Sequence, residues 1–206
     1  MSLRALALNC TLKSGDSPSS TQRLLDDCLA DFARHGVSGE TIRVADHDVK
    51  PGVTSDEGPG DAWPTIRARV LASDILVIGT PIWLGQPSSI AKRVLERMDA
   101  FLSEMDDRER MVSYGRVGVV AVVGNEDGAH HVAAEIYQAL SDVGFTIPAS
   151  GVTYWVGEAM GGVDYRDLDE TPQNVAGATD MMVRNAVHLA GLLKANPYPG
   201  RGEETS

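Results

Sequence analysis

The chain has 206 residues and a net charge of −11, from 18 basic and 29 acidic side chains. Its hydrophobic content of 43% suits a soluble globular protein, and no apolar run approaches the roughly 20 residues that cross a bilayer. The negative charge opposes binding to nucleic acid or to an anionic membrane, because both depend on neutralising phosphate. Two cysteines are too few for a disulfide scaffold, which favours a reducing cytoplasm.

Short apolar runs alternate with amphipathic stretches from one end of the chain to the other. Strands are predicted over residues 3–8, 41–45, 75–79 and 117–123, and a fifth over 145–147 and 152–156 with an interruption at Pro148. Helices are predicted over residues 63–71 and 175–194 and within residues 24–36, 87–105 and 132–144, with Pro87 in a first turn. We expect one domain over residues 1–196 and a flexible tail over residues 197–206.

Five apolar strands that alternate with helices predict an α/β fold in which helices cover both faces of a parallel sheet. Candidate ligand loops follow the first, third and fourth strands, which matches a flavodoxin-like strand order of 2-1-3-4-5. The switch point of that order lies between strands 1 and 3. Ligands bind there, beyond the carboxyl ends of the strands.

The loop after the first strand, residues 9–21, contains six serines and threonines. Hydroxyls and free amides at a helix N-terminus can hold a phosphate without a large basic cluster. The alternative is that Ser19 or Ser20 simply caps the helix. Neither a Gly-x-x-x-x-Gly-Lys nor a Gly-x-Gly-x-x-Gly pattern is present, so a terminal monophosphate such as that of FMN is favoured over a pyrophosphate. The candidate phosphate residues are Thr11, Lys13, Ser19, Ser20 and Thr21.

The loop after the third strand combines proline, tryptophan and glycine, a composition that suits a flat ring as guest. Trp83 offers the aromatic face, Pro81 cannot donate to a strand ladder, and Gly85 permits a close turn. The alternative is that Trp83 is an ordinary, partly buried aromatic at the sheet edge. The candidate ring-binding residues are Thr80, Pro81, Ile82, Trp83, Leu84 and Gly85.

The loop after the fourth strand is bounded by glycines and leads into a helix. Amides in this loop could meet the carbonyl edge of a flavin. Alternatively, the two acids cap the helix and complement its dipole, and both interpretations can hold together. The candidate residues are Gly124, Asn125, Glu126, Asp127 and Gly128.

No metal site and no catalytic side chain are predicted. His130 and His131 are adjacent on a predicted helix, so they point about 100° apart and do not form the i, i+4 pair that holds a metal. Cys10 has no acid–base partner near it in the sequence, which favours a packing role over that of a nucleophile.

On these loops the chain resembles the flavodoxin-like flavoproteins of the NADPH-dependent FMN reductase and multimeric flavodoxin, or quinone reductase, group. The most specific match is Thr80-Pro81-Ile82-Trp83 followed by Lys92, and the phosphate loop of the group is matched at Thr11, Lys13, Ser20 and Thr21. The departures are a longer first loop and Cys10 where glycine is common. The resemblance implies that residues 81–85 run along the flavin ring and that residues 157–172 cover the flavin or meet a partner subunit.

The resemblance implies an FMN-dependent oxidoreductase that takes hydride from NADPH or NADH and passes electrons to a quinone, free flavin or similar small acceptor. It also implies a homodimer or homotetramer. Chemistry carried by the cofactor needs no catalytic triad. The alternative function is a flavodoxin-type electron carrier without a nicotinamide substrate, which an acidic surface suits. A receiver domain is disfavoured, because Asn9 and Thr80 stand where its acids are expected.

Overall fold

The computed structural model of the chain describes residues 2–202. The strands are β1 (Arg4–Asn9), β2 (Ser38–Arg43), β3 (Ile75–Trp83), β4 (Gln86–Pro87), β5 (Val117–Gly124) and β6 (Val152–Val156). The helices are α1 (Ser20–Arg34), α2 (Trp63–Ala72), α3 (Ser89–Met98), α4 (Ala129–Asp142) and α5 (Gln173–Ala195). Short 3₁₀ turns follow β2 and α3, and another lies at Tyr165–Asp167.

The main sheet is parallel and has the order β2-β1-β3-β5-β6. Once the two-residue β4 is set aside, this is the predicted flavodoxin-like order, which is therefore confirmed. β4 is an added arm that pairs antiparallel with the end of β3. The switch point lies between β1 and β3, so the loops that follow these strands and β5 share one edge of the sheet.

Both faces of the sheet are buried, as the near-continuous apolar strands predict. Leu6 and Leu8 of β1 pack on the side of α2, α3 and α4, whereas Ala5 and Ala7 pack on the side of α1 and α5. Alternate residues of one strand thus serve two cores. With both faces covered, the carboxyl edge is the place where side chains from several loops can converge.

The structure corrects several predicted element boundaries. β3 continues through Thr80 and Pro81 to Trp83, so the loop predicted over residues 80–86 is the end of a strand and a tight turn. Pro81 lies opposite Val123 of β5 without breaking the strand. Pro87 belongs to β4 rather than to a first helical turn, because Ser88 caps α3.

Two further predictions fail where helical or strand periodicity runs past an element. α3 ends at Met98 and passes into a 3₁₀ turn over Asp99–Leu102, so the helix predicted within residues 87–105 is shorter than expected. Residues 145–147 are not a strand; Thr146 makes only an isolated bridge to Val117.

The predicted tail lies partly outside the described residues, at 203–206. Within the described part, Tyr198 contacts Tyr114 with ring centroids 5.3 Å apart and accepts a hydrogen bond of 3.0 Å from Arg110. None of the helices within residues 2–202 combines the length and the apolar character that spanning a membrane requires.

Candidate functional site

A cleft of about 570 Å³ lies at the carboxyl edge of the sheet. It brings together the three loops singled out in the sequence. Twelve of the sixteen predicted site residues line it: Thr11, Lys13, Ser19, Ser20, Thr21, Pro81, Ile82, Trp83, Leu84, Gly124, Asn125 and Glu126. The cleft is therefore the place where the predicted phosphate and ring segments meet.

The other four predicted residues support the wall of the cleft from behind. Thr80 is fully buried, and its hydroxyl accepts a hydrogen bond of 3.0 Å from the Ser88 amide at the start of α3. Gly128 packs against Gly85, since a Cβ on Gly128 would lie 2.9 Å from the Gly85 Cα. The Asp127 carboxylate accepts from the Gly128 amide at 2.7 Å.

Six lining residues were not predicted: Leu12, Val123, Trp155, Met160, Gly161 and Asp164. Most belong to β6 or to the segment after it, which folds back over the cleft from far along the chain. The only signal in the sequence was the aromatic and glycine-rich character of residues 154–165, which shows neither which residues face the cleft nor at what depth.

The first loop presents a helix N-terminus to the cleft. Ser19 caps α1, because its hydroxyl accepts from the Gln22 amide at 3.2 Å, which confirms the capping interpretation. Within residues 2–202, the amides of Ser20 and Thr21 have no hydrogen-bond acceptor. Together with the positive end of the helix dipole, they form a ready anion site. Lys13 also lines the cleft and donates to the Pro18 carbonyl at 3.3 Å.

Polar contacts hold the first loop in place from below. The Thr11 amide donates to the Asn9 side chain at 3.0 Å, and Arg43 donates to the carbonyls of Gly15 and Ser17. The Gly15 amide in turn donates to Asp46 at 2.6 Å. This loop is thus fixed to the end of β2 and to the turn that follows it.

Glu126 joins the second and third loops. Its carboxylate accepts from the Leu84 amide at 3.0 Å and from the Gly85 amide at 3.1 Å. The helix-capping interpretation of Glu126 is wrong, because Gly128 is the residue at the N-cap of α4 and no side chain in the described part of the chain caps this helix. Leu84 and Gly85 both have left-handed backbones, with φ of 54° and 73°, so the carboxylate fixes a turn that the backbone does not favour by itself.

The opposite wall comes from the segment after β6 and is held by Asn125. The Asn125 carbonyl accepts from the Met160 amide at 3.0 Å, and its side-chain amide donates to the Gly161 carbonyl at 3.2 Å. The third loop therefore holds both walls of the cleft, one through Glu126 and the other through Asn125.

The segment after β6 is anchored to α1. The Tyr165 hydroxyl donates to the Asp27 carboxylate at 2.6 Å, and the Arg23 guanidinium donates to three carbonyls at 2.6 to 3.0 Å while lying 5.2 Å from the centre of the Tyr165 ring. Burial and this bond to Asp27 raise the pKa of Tyr165 above its usual range. The Tyr165 ring packs against Trp155, which lines the cleft.

The histidines and the cysteine considered as reactive or metal-binding groups do not come together in one site. His130 packs its ring on Tyr154, whereas His131 contacts Glu135 at 2.8 Å, so the two imidazoles diverge as expected. Burial raises the pKa of the Cys10 thiol, which lies 3.7 Å from the Leu8 carbonyl. Cys10 is therefore a packing residue and not a thiolate nucleophile.

A second hollow of about 340 Å³ lies at the amino ends of β1 and β2. Arg69 in this hollow is ion-paired with Glu40. The hollow gathers no helix N-terminus and none of the predicted site residues. The carboxyl-edge cleft is thus the stronger candidate, with free amides and a lysine at one end and apolar and aromatic side chains in the middle. Such an arrangement suits a planar ring compound with an anionic tail.

Comparison with known proteins finds one matching family and two similar proteins. Residues 3–161 match the NADPH-dependent FMN reductase family. The 8-demethyl-8-aminoriboflavin-5'-phosphate synthase of Streptomyces davaonensis is 33% identical over 208 residues, which are 96% of this chain and 81% of that protein. The divalent metal cation transporter MntH of Mycobacterium bovis is 38% identical over 200 residues, 94% of this chain but 29% of that protein. The chain thus spans less than a third of the transporter's length.

Solved structures show the same fold. The crystal structure of RosB with bound 8-demethyl-8-formylriboflavin-5'-phosphate has a TM-score of 0.87 and 33% identity, over 96% of this chain and 82% of that chain. The apo form of the NADH:FMN oxidoreductase EMOB has a TM-score of 0.67 at 18% identity, over 98% of this chain and 97% of that chain. At that lower identity the likeness concerns the fold alone.

Proposed function

The chain belongs to the NADPH-dependent FMN reductase family, and from that premise we propose that it is an FMN-dependent NAD(P)H oxidoreductase. Its acceptor in this proposal is a quinone, free flavin or similar small molecule. The observation that supports it best is the convergence of a free helix N-terminus, Lys13 and the Trp83 turn in one cleft.

FMN fits the residues that are present. The free amides of Ser20 and Thr21, with Lys13, match its phosphate group, and the apolar surface of Ile82 and Val123 matches its ring. When bound, FMN supplies hydride chemistry, accepting two electrons from a nicotinamide and passing them on.

The protein's part is binding, orientation and exclusion of water. Glu126 fixes the turn that carries Trp83 and Leu84, so that the ring meets a preset wall. Asn125 and the Tyr165 anchor hold the second wall against it. We assign no proton transfer to a side chain, since the chemistry of the proposed reaction lies in the cofactor.

The direct test is the absorbance spectrum of the purified protein with added FMN, followed by oxidation of NADH and of NADPH with a panel of quinones and flavins. The proposal predicts a perturbed flavin spectrum and acceptor-dependent oxidation. Bound FMN without any nicotinamide oxidation would favour the electron carrier instead. No spectral change with micromolar FMN would overturn the proposal.

A second candidate function is favoured by the 33% relatives. One is a synthase of an aminoriboflavin phosphate, and RosB holds a formylriboflavin phosphate. In this alternative the flavin in the cleft is the substrate and is itself changed. The discriminating measurement is the mass of the flavin recovered after turnover: an unchanged mass of FMN supports the oxidoreductase, whereas a changed mass supports flavin modification.

We also propose that the protein is a cytoplasmic homodimer or homotetramer, as the resemblance of the sequence implies. Light scattering after gel filtration tests the assembly. A mass of one chain at micromolar concentration would contradict it.

A further inference from the structure

The mouth of the cleft carries two unusual residues. Among residues 2–202, four residues other than glycine have a left-handed backbone; Glu109 and Ser150 are polar, while Leu84 and Met160 are large and apolar. Leu84 has φ of 54° and is 91% exposed, and Met160 has φ of 62° and is 95% exposed. Both line the cleft, one on each wall.

This combination is unfavourable in two ways at each residue. Left-handed backbone is disfavoured for residues with a side chain, and an exposed apolar side chain gains nothing from burial. Strain of this kind persists where the surroundings impose it, and it concentrates at functional sites.

The surroundings that impose it are the same for both residues. Glu126 accepts from the Leu84 amide at 3.0 Å, and the carbonyl of the neighbouring Asn125 accepts from the Met160 amide at 3.0 Å. Two consecutive residues of one loop therefore hold the two exposed side chains on opposite walls. We refer to Leu84 and Met160 as the jaw pair.

Charge at the mouth restricts what the jaw pair can hold. Within the described residues Glu126 has no cationic partner and is satisfied by amides only, and Asp164 is paired with Arg166 at 3.0 Å. Since a carboxylate without a counterion lies beside Leu84, an anionic group there meets repulsion, whereas a neutral ring does not.

We propose that the jaw pair determines specificity for the second substrate and selects a planar, apolar acceptor that carries no negative charge. This inference rests on the proposed oxidoreductase function. The jaw pair gives the acceptor its apolar contacts on both sides, and Glu126 excludes acceptors that bear a carboxylate, sulfonate or phosphate near the ring.

The test uses the FMN-loaded protein and two probes, a neutral naphthoquinone and the same ring bearing a sulfonate. The variants are Leu84→Asn and Met160→Asn, because asparagine tolerates left-handed backbone and so preserves the turn while removing the apolar surface. Leu192→Asn, on an exposed part of α5, is the matched control. Equilibrium binding of the quinones without reductant accompanies KM and kcat.

Each jaw variant is expected to raise the dissociation constant and KM of the neutral quinone roughly 10-fold, in line with loss of a large apolar contact. The Leu192→Asn control should stay within about twofold, a change too small to indicate a lost contact, and all quinone constants are measured with FMN at saturation so that any change in FMN affinity does not enter them. We expect the wild-type protein to bind the sulfonated ring more weakly than the neutral ring. Glu126→Gln should reduce this difference in affinity.

Unchanged binding of the neutral quinone in both jaw variants would overturn the inference while leaving the proposed function intact. Equal binding of the two rings to the wild-type protein would overturn the charge selection. Wild-type protein that does not bind FMN would overturn the proposed function and this inference together.

Discussion

Two long polar segments of this chain look alike in the sequence but have different roles in the structure. The segment after β2, residues 44–62, packs against α2 and α3 around the ion pair of Asp61 and Arg97. Both side chains are fully buried, and the Arg97 Nη2 lies 2.7 Å from the Asp61 Oδ2. The segment after β6, residues 157–172, has its buried anchor at Tyr165 but presents Met160 to solvent at the cleft.

The difference lies in where each segment satisfies its polar groups. Asp61 accepts from the amides of Lys50, Glu57 and Trp63 as well as from Arg97, so residues 50–62 close around one buried carboxylate. One end of the β6 segment is hydrogen-bonded to α1, whereas the other end lines the cleft. We infer that the first segment serves stability and the second serves binding.

The largest predicted effect is in the β2 segment. Asp61→Ala should lower the free energy of unfolding by about 3–5 kcal/mol, because it leaves Arg97 buried without its partner. Urea denaturation measures this, and the affinity for FMN of the folded variant should be unchanged. Adding Arg97→Met to Asp61→Ala should restore part of the loss, since no buried charge then remains unpaired. A loss below about 1 kcal/mol, which is the range of exposed ion pairs, would contradict the stabilising role assigned to the β2 segment.

In the β6 segment the expected effect reaches FMN binding as well as stability. Tyr165→Phe removes the hydrogen bond to Asp27 and should cost about 1.5 kcal/mol of stability, as for a bond to a charged group. Its FMN dissociation constant should rise roughly 5-fold, equivalent to about 1 kcal/mol, because the wall carrying Met160 and Asp164 loses its anchor. Fluorescence titration with FMN measures this. Affinity equal to that of the wild type would show that the anchor does not support binding.

The pKa of Tyr165 adds a pH dependence to the same variant. Since burial and the bond to Asp27 raise that pKa in the folded state, the unfolded chain loses its proton first, near pH 10. Stability from this group is therefore complete below about pH 10 and is lost as the pH rises further. The unfolding free energy of Tyr165→Phe should fall less steeply above that pH than that of the wild type; parallel curves would contradict the assignment.

The smallest effect is predicted at Tyr137, which serves as the matched control. Within residues 2–202 its hydroxyl is buried without a hydrogen-bond partner, so Tyr137→Phe should leave stability unchanged or raise it slightly. Thermal unfolding measures this. A clear loss of stability would mean that the hydroxyl has a partner, such as a bound water, that the protein atoms do not provide.

Much of the fold follows from the sequence because its signals are local. The apolar runs of β1, β3 and β5 and the helical spacing in α1 and α5 fix the alternation of strands and helices, and the alternation fixes a parallel sheet. The boundaries at Trp83, Met98 and residues 145–147 fail because tertiary pairing extends or ends an element where periodicity alone does not.

The candidate site follows from the sequence only where its residues lie beside the end of a strand. Residues adjacent in sequence to a strand end, such as Thr11 and Trp83, were found from that adjacency. Met160 and Asp164 were not, because their place in the cleft depends on contacts with Asn125 and Asp27 far away in the chain. The role of Glu126 was also missed, since an acid near a helix start resembles a cap.

The central claim is that the cleft between the Trp83 turn and the third loop binds FMN, and one titration tests it most directly. Wild-type protein, Gly128→Ala and Gly115→Ala are titrated with FMN by fluorescence. Both glycines have a left-handed backbone, but a Cβ at Gly128 would lie 2.9 Å from the Gly85 Cα, whereas at Gly115 it meets nothing within 4 Å. We predict saturable binding to the wild type and to Gly115→Ala, with binding at least roughly 10-fold weaker, or about 1.4 kcal/mol, in Gly128→Ala. Equal binding by all three proteins, or binding by none, would contradict the claim.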